Sequence, residues 1–179
     1  PVMLRALRHL ERSHGPISIH LGVAPSAPAD FIEKLVTLSG LAVRFHRGAR
    51  AAIEQSEVAI CAAGTVSLEA ALCARPTLIL GRAHPFSAAL LKRLIRVDFI
   101  GLPNLILGRE AFPELVQNEV NANNVARALE SLFGSRGRVK EACEELLAQV
   151  RPSRGPVWAE HIAYAVEKGE VMYGDVGAE

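Results

Sequence analysis

Short apolar runs alternate with segments of helical periodicity along more than half of the chain. Of the features of this sequence, this alternation most restricts the folds that the chain can adopt. The apolar runs predict strands at 18–24, 41–45, 57–61, 76–80 and 98–101. The segments between them predict helices at 28–39, 49–55, 66–73 and 86–95. Strands that alternate with helices form parallel sheets with helices on both faces. The sequence therefore predicts an α/β fold with a doubly wound parallel sheet.

Both ends of the chain are predicted to be helical. Apolar residues recur at helical spacing from Val2 onward, so the chain opens inside a helix at Pro1, as expected of a piece of a larger protein. From Pro113 onward the pattern is helical throughout, with Asn121 as an N-cap. The helices predicted there span 123–133, 138–150 and 157–168. We expect one domain over 1–150, then a linker (151–156), a last helix and a frayed tail within 151–179.

The composition excludes several classes of protein. The 179 residues carry 20 basic and 19 acidic side chains, a formal net charge of +1, which provides no basic footprint for nucleic acid. The three cysteines form no CxxC pair and the histidines are scattered, so neither a disulfide framework nor a metal site is predicted. The apolar runs are far shorter than a membrane-spanning helix needs, and no signal peptide opens the chain. We expect a cytoplasmic domain with reduced core thiols at Cys61 and Cys73.

The loop after the predicted strand 57–61 is the best candidate for a phosphate-binding turn. Its small residues let a ligand approach the backbone, and the helix that follows offers free N–H groups beyond Gly64. Thr65 and Ser67 supply hydroxyl groups, and Glu69 is placed to accept hydrogen bonds from a ribose. The competing interpretation is a tight turn with an N-cap and an acid that matches the helix dipole.

The segment 101–117 carries a second set of candidate contacts. Two glycines, a Pro-Asn step and an Arg-Glu pair exceed what a connector needs. Arg109 is suited to bidentate phosphate binding. In the competing interpretation, Arg109 pairs with Glu110 or Glu114 at the surface.

A third candidate is Arg82, which follows the predicted strand 76–80 where an anion would arrive. A solvated arginine is nearly as common there. The basic amphipathic stretch 90–96 suits contact with an anionic membrane, although such a stretch more commonly packs on the sheet with its charges outward. The loop 46–50 suits a base pocket built from backbone groups.

Five segments match one known family in order and spacing. They are 63–69, Arg82, 92–94, the pair 102–104 and 108–110, and 113–117. Over about residues 1–130 the chain resembles lipid-A-disaccharide synthase. The resemblance implies a glycosyltransferase of the GT-B type, with two Rossmann-like domains, and this chain is similar to the C-terminal, UDP-sugar-binding one. A first strand with a Gly-Ser-Arg motif, and the acceptor domain, are then expected before Pro1.

The resemblance implies a hexosyltransferase reaction of lipid A biosynthesis. UDP-2,3-diacylglucosamine and 2,3-diacylglucosamine 1-phosphate would give a β-1,6-linked disaccharide phosphate and UDP, with inversion and without a metal or cofactor. The general base is expected in the acceptor domain, so the chain by itself is expected not to turn over. The acylated substrates imply a cytoplasmic enzyme at the inner membrane surface. Pairing through C-terminal regions implies a homodimer, with Trp158 and Tyr164 as candidate contacts.

The resemblance also assigns roles in the donor site. Glu69 would hold the ribose hydroxyls, and Asn104 and Gln117 would orient the diphosphate or the sugar. The helix start at Gly64, together with Arg109, would stabilise the charge that grows on the departing UDP. The expected donor-site residues are Gly64, Thr65, Ser67, Glu69, Arg82, Asn104, Gly108, Arg109, Glu110, Glu114 and Gln117.

Two positions depart from the family's pattern. Ala63 stands where a serine is usual, and Gly81 stands where a tyrosine is usual. Two other functions therefore stay open: another GT-B enzyme that uses UDP-GlcNAc, such as the transferase of peptidoglycan synthesis, and a non-catalytic nucleotide-binding paralogue. The segments 102–104 and 108–110 argue against the first, and the two departures favour the second.

Overall fold

A computed structural model describes residues 1–82, 98–134 and 136–150. Helices and strands alternate along these residues. The strands are β1 (Ile19–Val23), β2 (Val43–Arg47), β3 (Ala59–Ala62), β4 (Thr77–Gly81) and β5 (Glu114–Val116). The α-helices are α1 (Val2–His14), α2 (Ala29–Ser39), α3 (Ala49–Glu54), α4 (Thr65–Leu72), α5 (Leu102–Leu107), α6 (Ala122–Phe133) and α7 (Arg136–Val150). A 3₁₀ turn covers Gln117–Glu119.

Every strand pair among the described residues is parallel, as the sequence predicts. β1 pairs with β2, and β4 lies between β3 and β5. Hydrogen bonds thus divide the five strands into a two-stranded and a three-stranded sheet. The result is an α/β fold of the Rossmann-like kind, in which each strand is followed by a helix or a crossover before the next strand begins.

Helices cover both faces of the three-stranded sheet and bury two apolar clusters against it. Leu78 and Leu80 of β4 pack with α1 and α6 in one apolar cluster. Ile79, which points to the opposite face because side chains alternate along a strand, packs in a second cluster with α5, α7 and Phe112. Leu78 and Ile79 are fully buried, as expected of a central parallel strand.

Most predicted elements are confirmed, with ends that differ by one or two residues. Gly40 ends α2 in the left-handed conformation, with φ 68°. Asn121 caps α6 by accepting a hydrogen bond from the Asn124 backbone N–H at 3.0 Å. The predicted helices 86–95 and 157–168, the linker 151–156, the tail and the basic stretch 90–96 lie outside the described residues, as do Trp158 and Tyr164.

Three predictions about the segment after β4 are wrong. Residues 98–101 form a bend instead of a strand, because the N–H groups of Ile100 and Gly101 donate to the Glu114 carboxylate. The segment 101–110, for which no helix is predicted, contains the helix α5, with Gly108 left-handed at its end. The region after Pro113 is not helical throughout, because β5 pairs with β4 before α6 begins. With three residues, β5 is too short to display the alternation that marks a strand.

Candidate functional site

Three of the predicted site residues meet at one edge of the three-stranded sheet. Ala62 pairs with Leu80, and Gly81 pairs with Val116, so the carboxyl ends of β3, β4 and β5 are aligned. Gly64, Arg82 and Gln117 each lie one or two residues beyond these ends. In open parallel sheets, ligands bind beyond this edge. The structure therefore brings residues from three separate predicted segments to the place where a ligand is expected.

The turn at Gly64 depends on glycine for its backbone conformation. Its φ of 143° lies in a region that other residues rarely adopt, and an added Cβ would meet no atom within 4 Å. The space around it is thus open at the start of α4, where Thr65 is exposed. Free N–H groups and a positive dipole end there suit a phosphate.

The other two predicted residues of α4 are less exposed than Thr65. Ser67 is fully buried, and its hydroxyl donates to the Gly64 carbonyl oxygen at 2.6 Å, which stabilises the turn. Glu69 is half-buried. Burial raises the pKa of the Cys61 thiol, and the negative charge of Glu69 raises it further. Ser67 therefore shapes the turn.

Gln117 occupies a strained position at the end of β5. Its φ of 53° is left-handed, which costs a residue other than glycine about 1 kcal/mol or more. It begins the 3₁₀ turn, in which the Val120 N–H donates to its carbonyl oxygen at 3.2 Å. Backbone strain of this kind clusters at ligand sites in proteins.

Asn104 and Glu114 are joined in an internal hydrogen-bond network. The buried Asn104 amide donates to the Phe112 carbonyl and to Glu114 Oε1, both at 2.7 Å. Its oxygen accepts from the N–H groups of Ala111 and Phe112, both at 2.9 Å. All four hydrogen-bonding positions of this amide are thus occupied by the protein itself. In this structure Asn104 fixes the path of the chain into β5.

Arg109 and its neighbours lie apart from the carboxyl edge. Gly108, Arg109 and Glu110 precede the amino end of β5, whereas Gln117 follows its carboxyl end. Arg109 forms an ion pair with Glu145 of α7, and both side chains are about half exposed. The competing interpretation of the sequence pairs Arg109 with Glu110 or Glu114. The structure corrects this partner to Glu145.

A cavity of about 780 Å³ opens at the carboxyl edge of β1 and β2. His46, Arg47 and Gly48 line it from the end of β2, and Glu33 lines it from α2. The chain packs closely beside this cavity, because a Cβ added to Gly22 would lie 2.6 Å from the carbonyl oxygen of Gly48. Three residues of the predicted base loop 46–50 thus line a cavity: His46, Arg47 and Gly48.

His20 was not singled out by its sequence pattern. Its Nδ1 lies 2.8 Å from Nε2 of His46, and its Nε2 lies 3.1 Å from Oγ of Ser18. Partial burial lowers the pKa of His20, and the charges of His46 and Arg44 lower it further. The signal that joins the two histidines is the strand register, which no local motif reveals.

The cysteines behave as core residues. Cys61 and Cys143 are buried, and Cys73 is half-buried. Within the part of the chain that the structure describes, no three histidine, cysteine, aspartate or glutamate side chains are grouped to hold a metal. Burial raises the pKa of both buried thiols to about 11, with smaller contributions from Glu69 at Cys61 and Glu144 at Cys143.

We expect alkylation at pH 8 to separate these thiols. At that pH roughly 0.1% of a thiol with this raised pKa is thiolate, so Cys61 and Cys143 should react at least about tenfold more slowly than Cys73. Mass spectrometry after a brief iodoacetamide pulse measures the difference, and all three should react alike in urea. Equal labelling of Cys61 and Cys73 in the folded chain would contradict the burial.

Comparison with known proteins adds to this geometry. Among the described helices, none is both long enough and apolar enough to cross a membrane. The family model described as "Lipid-A-disaccharide synthetase" matches residues 1–155. The chain is 31% identical over 174 residues to the lipid-A-disaccharide synthase of Syntrophus aciditrophicus (strain SB), covering 96% of this chain and 44% of that protein. It is 36% identical over 118 residues to that of Dechloromonas aromatica (strain RCB), covering 66% and 31%.

The chain spans less than half the length of these curated relatives. The family match nevertheless covers the helices, strands and loops described above, including every predicted site residue. On that match, the chain belongs to the lipid-A-disaccharide synthetase family.

Proposed function

We propose that this chain binds the nucleotide-sugar donor of a lipid-A-disaccharide synthase. The observation that carries the proposal is the convergence of Gly64, Arg82 and Gln117 beyond the carboxyl ends of three parallel strands. An open glycine turn at a helix start, an exposed arginine and a half-buried amide supply donors of the type that a diphosphate needs. Family membership supports this choice over the peptidoglycan transferase.

The proposed reaction transfers 2,3-diacylglucosamine from UDP to 2,3-diacylglucosamine 1-phosphate in lipid A biosynthesis, with inversion and a β-1,6 linkage. Negative charge grows on UDP as the bond to the sugar breaks. N–H groups and a cation that are already in place stabilise that charge without reorganisation. We assign this task to the start of α4 and to Arg82. The general base belongs to the acceptor side, so the chain alone is expected to bind UDP without turnover.

The cavity beside Gly48 is proposed to take the uracil base. It lies at the carboxyl edge of β1 and β2, the edge at which ligands bind in open parallel sheets. His46 and backbone groups of the loop 46–50 offer polar atoms to the edge of a base. We also propose that the acylated substrates bring the enzyme to a membrane surface and that it forms homodimers through its C-terminal region.

Isothermal titration calorimetry with UDP tests the donor site. We expect saturable binding, with a Kd on the order of micromolar to millimolar and a preference over CDP. Arg82→Ala should weaken binding about tenfold or more, because a charge-assisted hydrogen bond contributes about 1.5–3 kcal/mol. Arg109→Ala is the matched control, since it removes an arginine that pairs with Glu145.

The two arginine variants discriminate between two positions of the phosphate site. If Arg109→Ala weakens UDP binding and Arg82→Ala does not, the phosphates bind near Arg109, the arginine to which the family resemblance assigns the charge on the departing UDP. If the folded chain does not bind UDP at millimolar concentration, the proposed donor site is wrong. Circular dichroism of each variant establishes that it is folded.

A further inference from the structure

Two histidines from neighbouring strands form a coupled pair beside the proposed base cavity. The rings of His20 on β1 and His46 on β2 meet edge to edge, with centroids 5.1 Å apart and an interplanar angle of 28°. His20 Nδ1 and His46 Nε2 are 2.8 Å apart, within hydrogen-bond distance. Ser18 Oγ, 3.1 Å from His20 Nε2, extends this to a chain of three side chains.

The register explains how the pair reaches the cavity. His46 pairs with Gly22, and His20 pairs with Arg44. On β1, His20 therefore precedes the partner of His46 by two residues. His46 lines the cavity, whereas His20 is absent from its wall. Any effect of His20 on a ligand in the cavity must therefore act through the His46 ring.

A hydrogen bond between two imidazoles constrains their protons. Each neutral ring has one N–H donor and one acceptor nitrogen, so one ring must donate to the other. The bond therefore couples the proton position on His46 to that on His20, because a proton on His46 Nε2 requires an acceptor at His20 Nδ1 and the reverse. Nδ1 of His46 is left as the ring nitrogen that His20 does not engage. Holding one tautomer and one orientation lowers the cost of using that atom to recognise a ligand.

The surrounding charges favour a neutral His20. Partial burial, His46 and Arg44 all lower its pKa. On α3, which packs against both strands, the charged residues Arg50 and Glu54 pair with each other at 2.7 Å. Glu33 and Arg47 line the cavity together with His46. At neutral pH the pair thus has the neutral ring that its hydrogen bond needs.

We propose that His20 is a positioning residue that sets the proton and the ring orientation of His46 for recognition of a pyrimidine base in this cavity. This inference rests on the proposed function. A uracil ring has carbonyl oxygens beside an N–H group, so a histidine nitrogen with a defined proton distinguishes between these atoms. Ser18 Oγ, which can donate or accept, contacts the other ring nitrogen of His20 and helps to hold the orientation of that ring.

Two substitutions at one position separate the contacts of His20. The amide of His20→Asn lies close to where Nδ1 lies, so it keeps a partner for His46. The amide of His20→Gln reaches the place of Nε2, so it keeps the contact with Ser18 and loses the contact with His46. His9→Asn, on the exposed surface of α1, is the control for loss of a histidine.

The first readout is the tautomer of His46, measured from the ring ¹⁵N shifts of the 179-residue chain at pH 7.5. We expect one tautomer in the wild type, in His20→Asn and in His9→Asn, and a mixture in His20→Gln. The second readout is UDP affinity by calorimetry. His20→Gln should raise Kd about 3–10-fold, the effect of one neutral hydrogen bond, whereas His20→Asn should change it less than about twofold.

The outcomes are distinguishable. A single His46 tautomer that persists in His20→Gln overturns the positioning role even if UDP binds. Equal UDP affinities for His20→Asn and His20→Gln also overturn it. If the folded wild type does not bind UDP, the proposed function fails, and the role in base recognition fails with it, whatever the tautomer result.

Discussion

Replacing Asn104 with leucine is expected to lower the free energy of unfolding by about 3–5 kcal/mol. The two side chains have similar size, so the change removes hydrogen bonds rather than volume. It leaves the buried N–H group of Phe112 and the carbonyl of the same residue without their side-chain partner. It also removes the amide donor from the Glu114 carboxylate, which holds the bend before α5. Each buried polar group left unpaired costs about 1–3 kcal/mol.

Urea unfolding followed by circular dichroism measures this loss. Asn123→Leu is the matched control, because Asn123 is exposed on α6 and leucine favours helix slightly more than asparagine does. Its free energy of unfolding should change by less than about 0.5 kcal/mol. A similar small change in Asn104→Leu would show that the network around Asn104 does not hold the chain into β5.

Gly22→Ala is expected to destabilise the fold by about 2–3 kcal/mol, because an added Cβ has no room. It would lie 2.6 Å from the Gly48 oxygen and 2.8 Å from the Ala49 Cα. Both are backbone atoms, so relief requires a shift of the chain between β2 and α3. Since Gly48 lines the proposed base cavity, the same variant should also weaken UDP binding.

Gly137→Ala is the control for a glycine substitution. Gly137 lies within α7, and a Cβ there would meet nothing within 4 Å. Alanine should therefore stabilise the helix by about 0.5–1 kcal/mol without affecting UDP affinity. If Gly22→Ala unfolds at the same urea concentration as the wild type, β1 and the start of α3 are not packed as the structure has them.

The fold was predictable where local patterns are long enough to be distinct. The helices that became α1, α2 and α6 have well-spaced apolar residues and end signals such as Gly40 and Asn121. The segment between 98 and 116 was not predictable. Its bend, short helix and three-residue strand are held by Asn104 and Glu114, whose partners are between 7 and 14 residues away.

The candidate site was predictable only where it depends on a local sequence pattern. A small-residue turn before a helix is a local pattern, and its glycine does adopt the conformation that such turns require. The direction of a side chain is not local. Asn104 points inward to four internal hydrogen bonds, and Arg109 reaches Glu145, which is 36 residues further along the chain. The sequence leaves open whether Arg109 binds a phosphate or pairs with an acidic residue, and no local pattern identifies the internal partners of Asn104.

The amino-acid sequence by itself determined the alternation of strands and helices, and with it the parallel α/β fold, because burial and backbone preference act over a few neighbouring residues. It also carried the motifs that identify the family. Only the tertiary structure decided which of the candidate residues share an edge of the sheet, that Asn104 supports the chain from within, and that His20 meets His46. Those outcomes depend on strand register and packing between distant segments, and such contacts exist only once the chain has folded.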